Sequence, residues 1–149
     1  MLMSLQENEP APSWEAKDQD GNIHSSSDYK GKWLILYFYP KDDSPGCTKE
    51  ACTIRDSFKE LSQKAEILGV SADSVDSHRK FREKYSLPFN LLADPDKKMI
   101  NAFGADGLIL NKRVTFIIDP KGTIVKIFNS VSPEKHAQQL VVVMDSLQN

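Results

Sequence analysis

An uninterrupted apolar run, Trp33-Leu-Ile-Leu-Tyr-Phe-Tyr39, has the length and composition of a strand buried on both faces, and Pro40 ends it. Beyond it the period changes. Ala51, Ile54, Phe58 and Leu61 recur at intervals of three and four, which predicts one apolar stripe of a helix and puts Cys47 in its first turn. Glu66 to Ser71 predicts a second strand, and Ser74 to Tyr85 a helix with Phe81 and Tyr85 on its inner face. Leu91-Leu-Ala-Asp-Pro-Asp leads into a short helix through Met99 to Phe103. Arg113 to Asp119 and Thr123 to Phe128 flank a Pro-Lys-Gly turn and predict a hairpin. Ser132-Pro-Glu supplies an N-cap, a first-position proline and a first-turn acid for a last helix through Leu140, Val143, Met144 and Leu147. Upstream, Trp14 to His24 reads as a hairpin around Asp-Gly-Asn, followed by a serine-rich connection.

Strand and helix alternate first, and an antiparallel hairpin and helix follow. That order predicts an α/β fold of thioredoxin-like layout: a mixed central β-sheet flanked by helices on both faces, with an added N-terminal β-hairpin. In such sheets ligand sites gather beyond the carboxyl ends of the parallel strands, which directs attention to the loop from Pro40 to Cys47.

With 149 residues, the chain is expected to form a single domain over 1–149, its core running from about residue 5 to 147. A net charge of -2, with 27% charged and 40% hydrophobic residues, speaks against nucleic acid or an anionic membrane surface as a partner. The first ten residues lack a basic region and a long apolar region, and no apolar stretch approaches the roughly 18 residues of a membrane span. A cytoplasmic protein is therefore expected. In a reducing cytosol a permanent disulfide is disfavoured, which turns a close cysteine pair towards transient redox chemistry or metal binding.

The chain has 2 cysteines, Cys47 and Cys52. A helix N-terminus offers unsatisfied N–H groups and the positive end of the helix dipole, so Cys47 is placed to act as a thiolate nucleophile. Ser44 and Thr48 bracket it with hydroxyls, and Pro45-Gly46 allows a tight turn close to a small bound molecule. Cys52 lies about 140° round and ~7.5 Å along an intact helix from Cys47. The corresponding Cα separation of about 8 to 9 Å exceeds the roughly 7 Å that a disulfide spans without backbone movement. A bridge between them therefore requires local unwinding.

The pattern Pro40-x-x-x-Ser44-x-x-Cys47 matches that of peroxiredoxins. Tyr-Pro-Lys-x-x-x-Pro-Gly-Cys-Thr-x-x-Ala-Cys-x-x-Arg-Asp resembles the bacterioferritin comigratory protein, or peroxiredoxin Q, branch. Gly-Val-Ser-x-Asp at 69 to 73 and Arg113 before Thr-Phe-Ile-Ile-Asp-Pro-Lys-Gly extend the resemblance. It implies a thiol peroxidase of the atypical two-cysteine type, acting on hydrogen peroxide and organic hydroperoxides. Carried over residue by residue, Cys47 is peroxidatic, passing through a sulfenic acid, and Cys52 resolves it as a disulfide. Pro40 shields the thiolate, Ser44 hydrogen-bonds the peroxide, Arg113 stabilises thiolate and developing charge, and Glu50 orients Arg113. Thioredoxin or glutaredoxin is the implied reductant, with no metal or organic cofactor and a monomeric state. Ser44 stands where the family more often has threonine.

Two other readings keep the same fold. A general thiol–disulfide oxidoreductase usually carries Cys-x-x-Cys at the helix start, which this chain lacks, and a non-catalytic scaffold would leave both cysteines incidental. His24, His78 and His136 lie in polar segments and read as solvated residues. Arg55 and Asp56 read as a local surface pair, Lys112 as an exposed charge, and Asp76 to Lys84 as a solvated helix face.

Overall fold

The computed structural model describes residues 5–148. The apolar run becomes β3 (Leu34–Phe38), in which every residue is buried. On one side it pairs in parallel with β4 (Glu66–Ser71), which pairs in parallel with β5 (Asn90–Ala93). On the other side it runs antiparallel to β6 (Val114–Ile118), which forms the expected hairpin with β7 (Ile124–Phe128). The N-terminal hairpin of β1 (Glu15–Lys17) and β2 (Ile23–Ser25) adds to β5, giving a seven-stranded sheet in the order β2-β1-β5-β4-β3-β6-β7. The mixed sheet and the added hairpin agree with the sequence reading.

Because side chains alternate along a strand, β3 feeds two cores. Ile35, Tyr37 and Tyr39 face the cluster that holds Cys47, Ala51, Ile54, Leu61, Phe81 and Met144. Leu34, Leu36 and Phe38 face the other, with Trp14, Met99, Phe103 and Phe116. Helices α1 (Pro45–Asp56), α2 (Phe58–Leu61), α3 (Val75–Lys84) and α5 (His136–Gln148) supply residues to the first cluster, and α4 (Lys98–Ala102) to the second.

Two helix boundaries differ from expectation. The apolar stripe from Ala51 to Leu61 predicted one helix, but the chain breaks at Ser57, whose N–H bonds to the carbonyls of Thr53, Ile54 and Arg55. Periodicity survives a one-residue break, so it conceals the junction. The last helix begins at His136; Ser132 heads a separate turn, with its carbonyl accepting from Lys135 and His136. Among the described residues no helix is long and apolar enough to cross a membrane.

Candidate active site

Beyond the carboxyl end of β3 the chain turns through Pro40 to Asp43 and enters α1 at Ser44, with Pro45 in the first turn. This junction sets Cys47 on the buried face of the helix, where it is only 1% exposed. Arg113, immediately before β6, lies alongside because β6 runs antiparallel to β3. Its Nη2 donates to Cys47 Sγ at 3.3 Å and its Nη1 to Glu50 Oε1 at 2.7 Å. One guanidinium fork therefore joins the thiol and a carboxylate one helical turn apart. Gly46 makes the approach possible, since a Cβ there would sit 3.0 Å from Arg113 Nη2.

Glu50 has no exposed surface, and its Oε2 has no hydrogen-bond partner. Burial pushes its carboxyl up to about 7, with Arg113 pulling the other way. The phenol of Tyr37 is also buried without a partner and is held well above its ordinary value, chiefly by burial, with Glu50 and Cys47 adding to the effect. Beneath Arg113, the imidazole of His136 meets Thr115 Oγ1 at 2.7 Å through Nε2. Burial lowers His136 to about 4, with the positive charge of Arg113 acting in the same direction.

Ser44 is half-buried at the cap of α1, and its hydroxyl donates to the Lys41 carbonyl at 2.9 Å. Pro40 is also half-buried, and Thr48 Oγ1 donates to Asp43 Oδ1 at 3.4 Å. Cys52 lies on the flank of the same helix, half-buried and unbridged. The structure thus brings Cys47, Glu50 and Arg113 into direct contact and keeps Cys52 apart from them within α1. Lys112 is exposed, as expected.

Several residues escaped the sequence reading. Asp42 is buried; its Oδ1 accepts from Tyr39 Oη at 2.6 Å, and its Oδ2 meets Ser77 Oγ at 2.8 Å and His78 Nδ1 at 2.7 Å. Its N–H donates to Asp73 Oδ2 at 2.8 Å. Asp42, Asp73 and His78 hold their ligand-type atoms within 4.8 Å of one another, but hydrogen bonds already engage those atoms, so the cluster serves to anchor the loop before Cys47.

The histidines require correction. His78 and His136 are completely buried, and His24 is held between Asp18 Oδ2 at 2.7 Å and Tyr29 Oη at 2.8 Å. His78 sits three residues before Phe81 and shares its inward side, a placement that the surrounding charged residues of α3 disguised. The Arg55–Asp56 pair is present at 3.0 Å, but Arg55 also reaches the Tyr85 carbonyl at 2.7 Å.

The structure thus holds a buried cysteine against an arginine at a strand-to-helix junction of a mixed sheet, and its structural neighbours are peroxiredoxins of thioredoxin fold. The AhpC/TSA family model matches residues 8–127, and the chain belongs to that family. Within it, the chain is similar to peroxiredoxin Q and Bcp proteins. It is 42% identical over 141 residues to a chloroplastic peroxiredoxin Q of Populus jackii, a match covering 91% of this chain and 66% of the relative. It is 40% identical over 154 residues to peroxiredoxin Bcp of Bacillus subtilis (strain 168), covering 97% of this chain and 98% of that protein. The chain therefore spans about two thirds of the plant relatives and nearly all of the bacterial one. The crystal structure of peroxidoxin BcpB from Mycobacterium tuberculosis superposes with a TM-score of 0.89 at 30% identity, covering 97% of this chain and 99% of that one. Peroxiredoxin Q of Xanthomonas campestris gives 0.86 at 30% identity, with 91% and 92% covered.

Proposed function

We propose that the protein is a thiol peroxidase that reduces hydrogen peroxide and small organic hydroperoxides through Cys47. The observation that carries this reading is the Arg113 fork, with one nitrogen on Cys47 Sγ and another on buried Glu50. The Cys47 thiolate attacks one peroxide oxygen; the S–O bond forms as the O–O bond breaks, and the departing oxygen takes up a proton to leave as water or an alcohol. Arg113 is always charged, so its donors stabilise both the thiolate and the charge that develops on the departing oxygen. Glu50 fixes the guanidinium. The Cys47 N–H, in the first turn of α1, has no intrahelical acceptor by position and is available to the peroxide. Ser44 adds its hydroxyl, and Pro40 limits water at the sulfur.

Cys52 is the resolving thiol in this reading. Its sulfur attacks the Cys47 sulfenic sulfur, forming the disulfide and releasing water, which prevents further oxidation to sulfinic acid. Thioredoxin or glutaredoxin then restores the dithiol by exchange, without metal or organic cofactor. The chain acts as a single domain and a monomer in the cytoplasm. Supporting the substrate class, a neighbour of similar fold, the bacterioferritin comigratory protein of Xanthomonas campestris, is described as having alkyl peroxide reduction activity.

Stopped-flow mixing of reduced protein with one equivalent of peroxide tests the reading. Fast stoichiometric oxidation is expected, abolished in Cys47→Ser and halted at the sulfenic acid in Cys52→Ser. Oxidation at the rate of an ordinary free thiol would overturn the peroxidase; unchanged thioredoxin-coupled turnover by Cys52→Ser would overturn the resolving role.

A further inference from the structure

The segment carrying both cysteines is fastened on either side to a single residue of the turn that closes α3. Tyr85 donates its hydroxyl to Asp43 Oδ1 at 2.6 Å, ahead of Cys47, and its carbonyl accepts from Arg55 Nη1 at 2.7 Å, beyond Cys52. The two fastenings differ in strength. On the Cys47 side, Lys84 also grips Asp43 at 2.6 Å, and Asp42 is bound by Tyr39, Ser77, His78 and Asp73. Ala51 and Ile54 are buried on the core face of α1, whereas Cys52 and Arg55, three residues apart, share its half-buried flank. That flank is tied to α3 through Arg55, whose side chain is 33% exposed. The Tyr85 carbonyl is a suitable acceptor, because the C-terminal end of a helix attracts a cation.

We propose that Arg55 is a positioning residue for resolution: its bond to the Tyr85 carbonyl is the clasp that keeps the Cys52 turn wound, and its release governs how fast Cys52 reaches Cys47. The chemical consequence rests on the peroxidase reading; the clasp itself does not. Because the loop before Cys47 is held by many bonds, the Cys52 end is the one that yields. Once it yields, the Cys52 sulfur attacks the Cys47 sulfenic sulfur, the S–S bond forms, and hydroxide leaves as water with the thiol proton.

Arg55→Met keeps the aliphatic stem and removes the donors. After a stoichiometric pulse of hydrogen peroxide, the variant is expected to form the disulfide about tenfold faster, the worth of one hydrogen bond from a charged donor. Oxidation of Cys47 itself stays within about twofold of the parent, and sulfinic acid at excess peroxide falls. Arg55→Lys, which keeps a cation near the carbonyl, restores part of the delay. Unchanged or slower disulfide formation with normal Cys47 oxidation overturns the proposal. Hydrogen exchange of the reduced proteins separates this failure from failure of the peroxidase reading: amides 50 to 56 should lose protection in Arg55→Met while those of β3 and β4 keep theirs. Equal protection of 50 to 56 in both proteins overturns the clasp whether or not peroxide reacts.

Discussion

At Glu50 a carboxyl group with no exposed surface is held up to about 7, against an ordinary 4.5, because the cost of burying its charge exceeds what Arg113 returns. A carboxyl raised in the folded state stabilises the fold below its ordinary value, and that contribution is lost as pH rises through the folded one. The contribution of Glu50 to stability should therefore fall between pH 4.5 and 7 by an amount on the order of 3 kcal/mol, at about 1.4 kcal/mol for each pH unit between the two values. Because His136 imposes an opposite slope over nearly the same range, the readout is the difference: by urea denaturation, Glu50→Gln should gain stability relative to the parent as pH rises from 4.5 to 7. His136 is displaced the other way, to about 4, so its contribution is present above pH 6.5 and lost as pH falls through 4. At Gly46 a methyl group would press on Arg113 Nη2 from 3.0 Å. Gly46→Ala is expected to slow Cys47 oxidation by about tenfold while the helix, which tolerates alanine better than glycine, keeps its thermal midpoint. Cys47, Ser44 and Pro40 were legible because a proline, a Pro-Gly pair and a strand end punctuate their neighbourhood. Arg113 and Glu50 are 63 residues apart in sequence, so only the resemblance could couple them. Asp42, His78 and His136 were missed as buried groups because nothing in a polar segment marks which member turns inward.

Among the elements, β3 and β4 were read correctly because their buried runs are continuous, and the Pro-Lys-Gly turn identified β6 and β7. The order β2-β1-β5-β4-β3-β6-β7 was not legible in detail, since the pairing of β1 with β5 joins segments that share no local signal. Gly69 is the point at which β4 makes room for its neighbours: a Cβ there would lie 2.9 Å from both Tyr37 Cζ and Leu91 Cδ2. Tyr37 and Gly69 are register partners across the β3–β4 pair. Gly69→Ala is therefore expected to cost about 2 kcal/mol through overpacking, read as a lower urea midpoint. Its effect should extend to Glu50 and Arg113 through the displaced Tyr37 ring, appearing as slower Cys47 oxidation in the fraction that remains folded.

For the molecule as a whole, the outer edge of the sheet at β7 is covered by the chain's own beginning. Asn8 N–H donates to the Ile124 carbonyl at 2.6 Å, Ile124 N–H to the Glu9 carbonyl at 2.8 Å, and Ile127 N–H to the Glu7 carboxylate at 3.0 Å. An uncovered edge strand invites pairing with another copy. A chain truncated before Ala11 should consequently show, in size-exclusion light scattering, a mass that rises with concentration more steeply than that of the untruncated chain. This cover was invisible in sequence, because Glu7 to Pro10 has neither the alternation nor the length of a strand. The Tyr85 strut has a consequence for how the protein can change by descent. Its two ends depend on different chemistry: Asp43 needs the phenol, whereas Arg55 needs only a main-chain carbonyl that any residue at that position supplies. Substitutions at 43, 84 and 85 can thus drift together as a block and retune the loop, while the hold on Cys52 is inherited intact as long as the arginine remains.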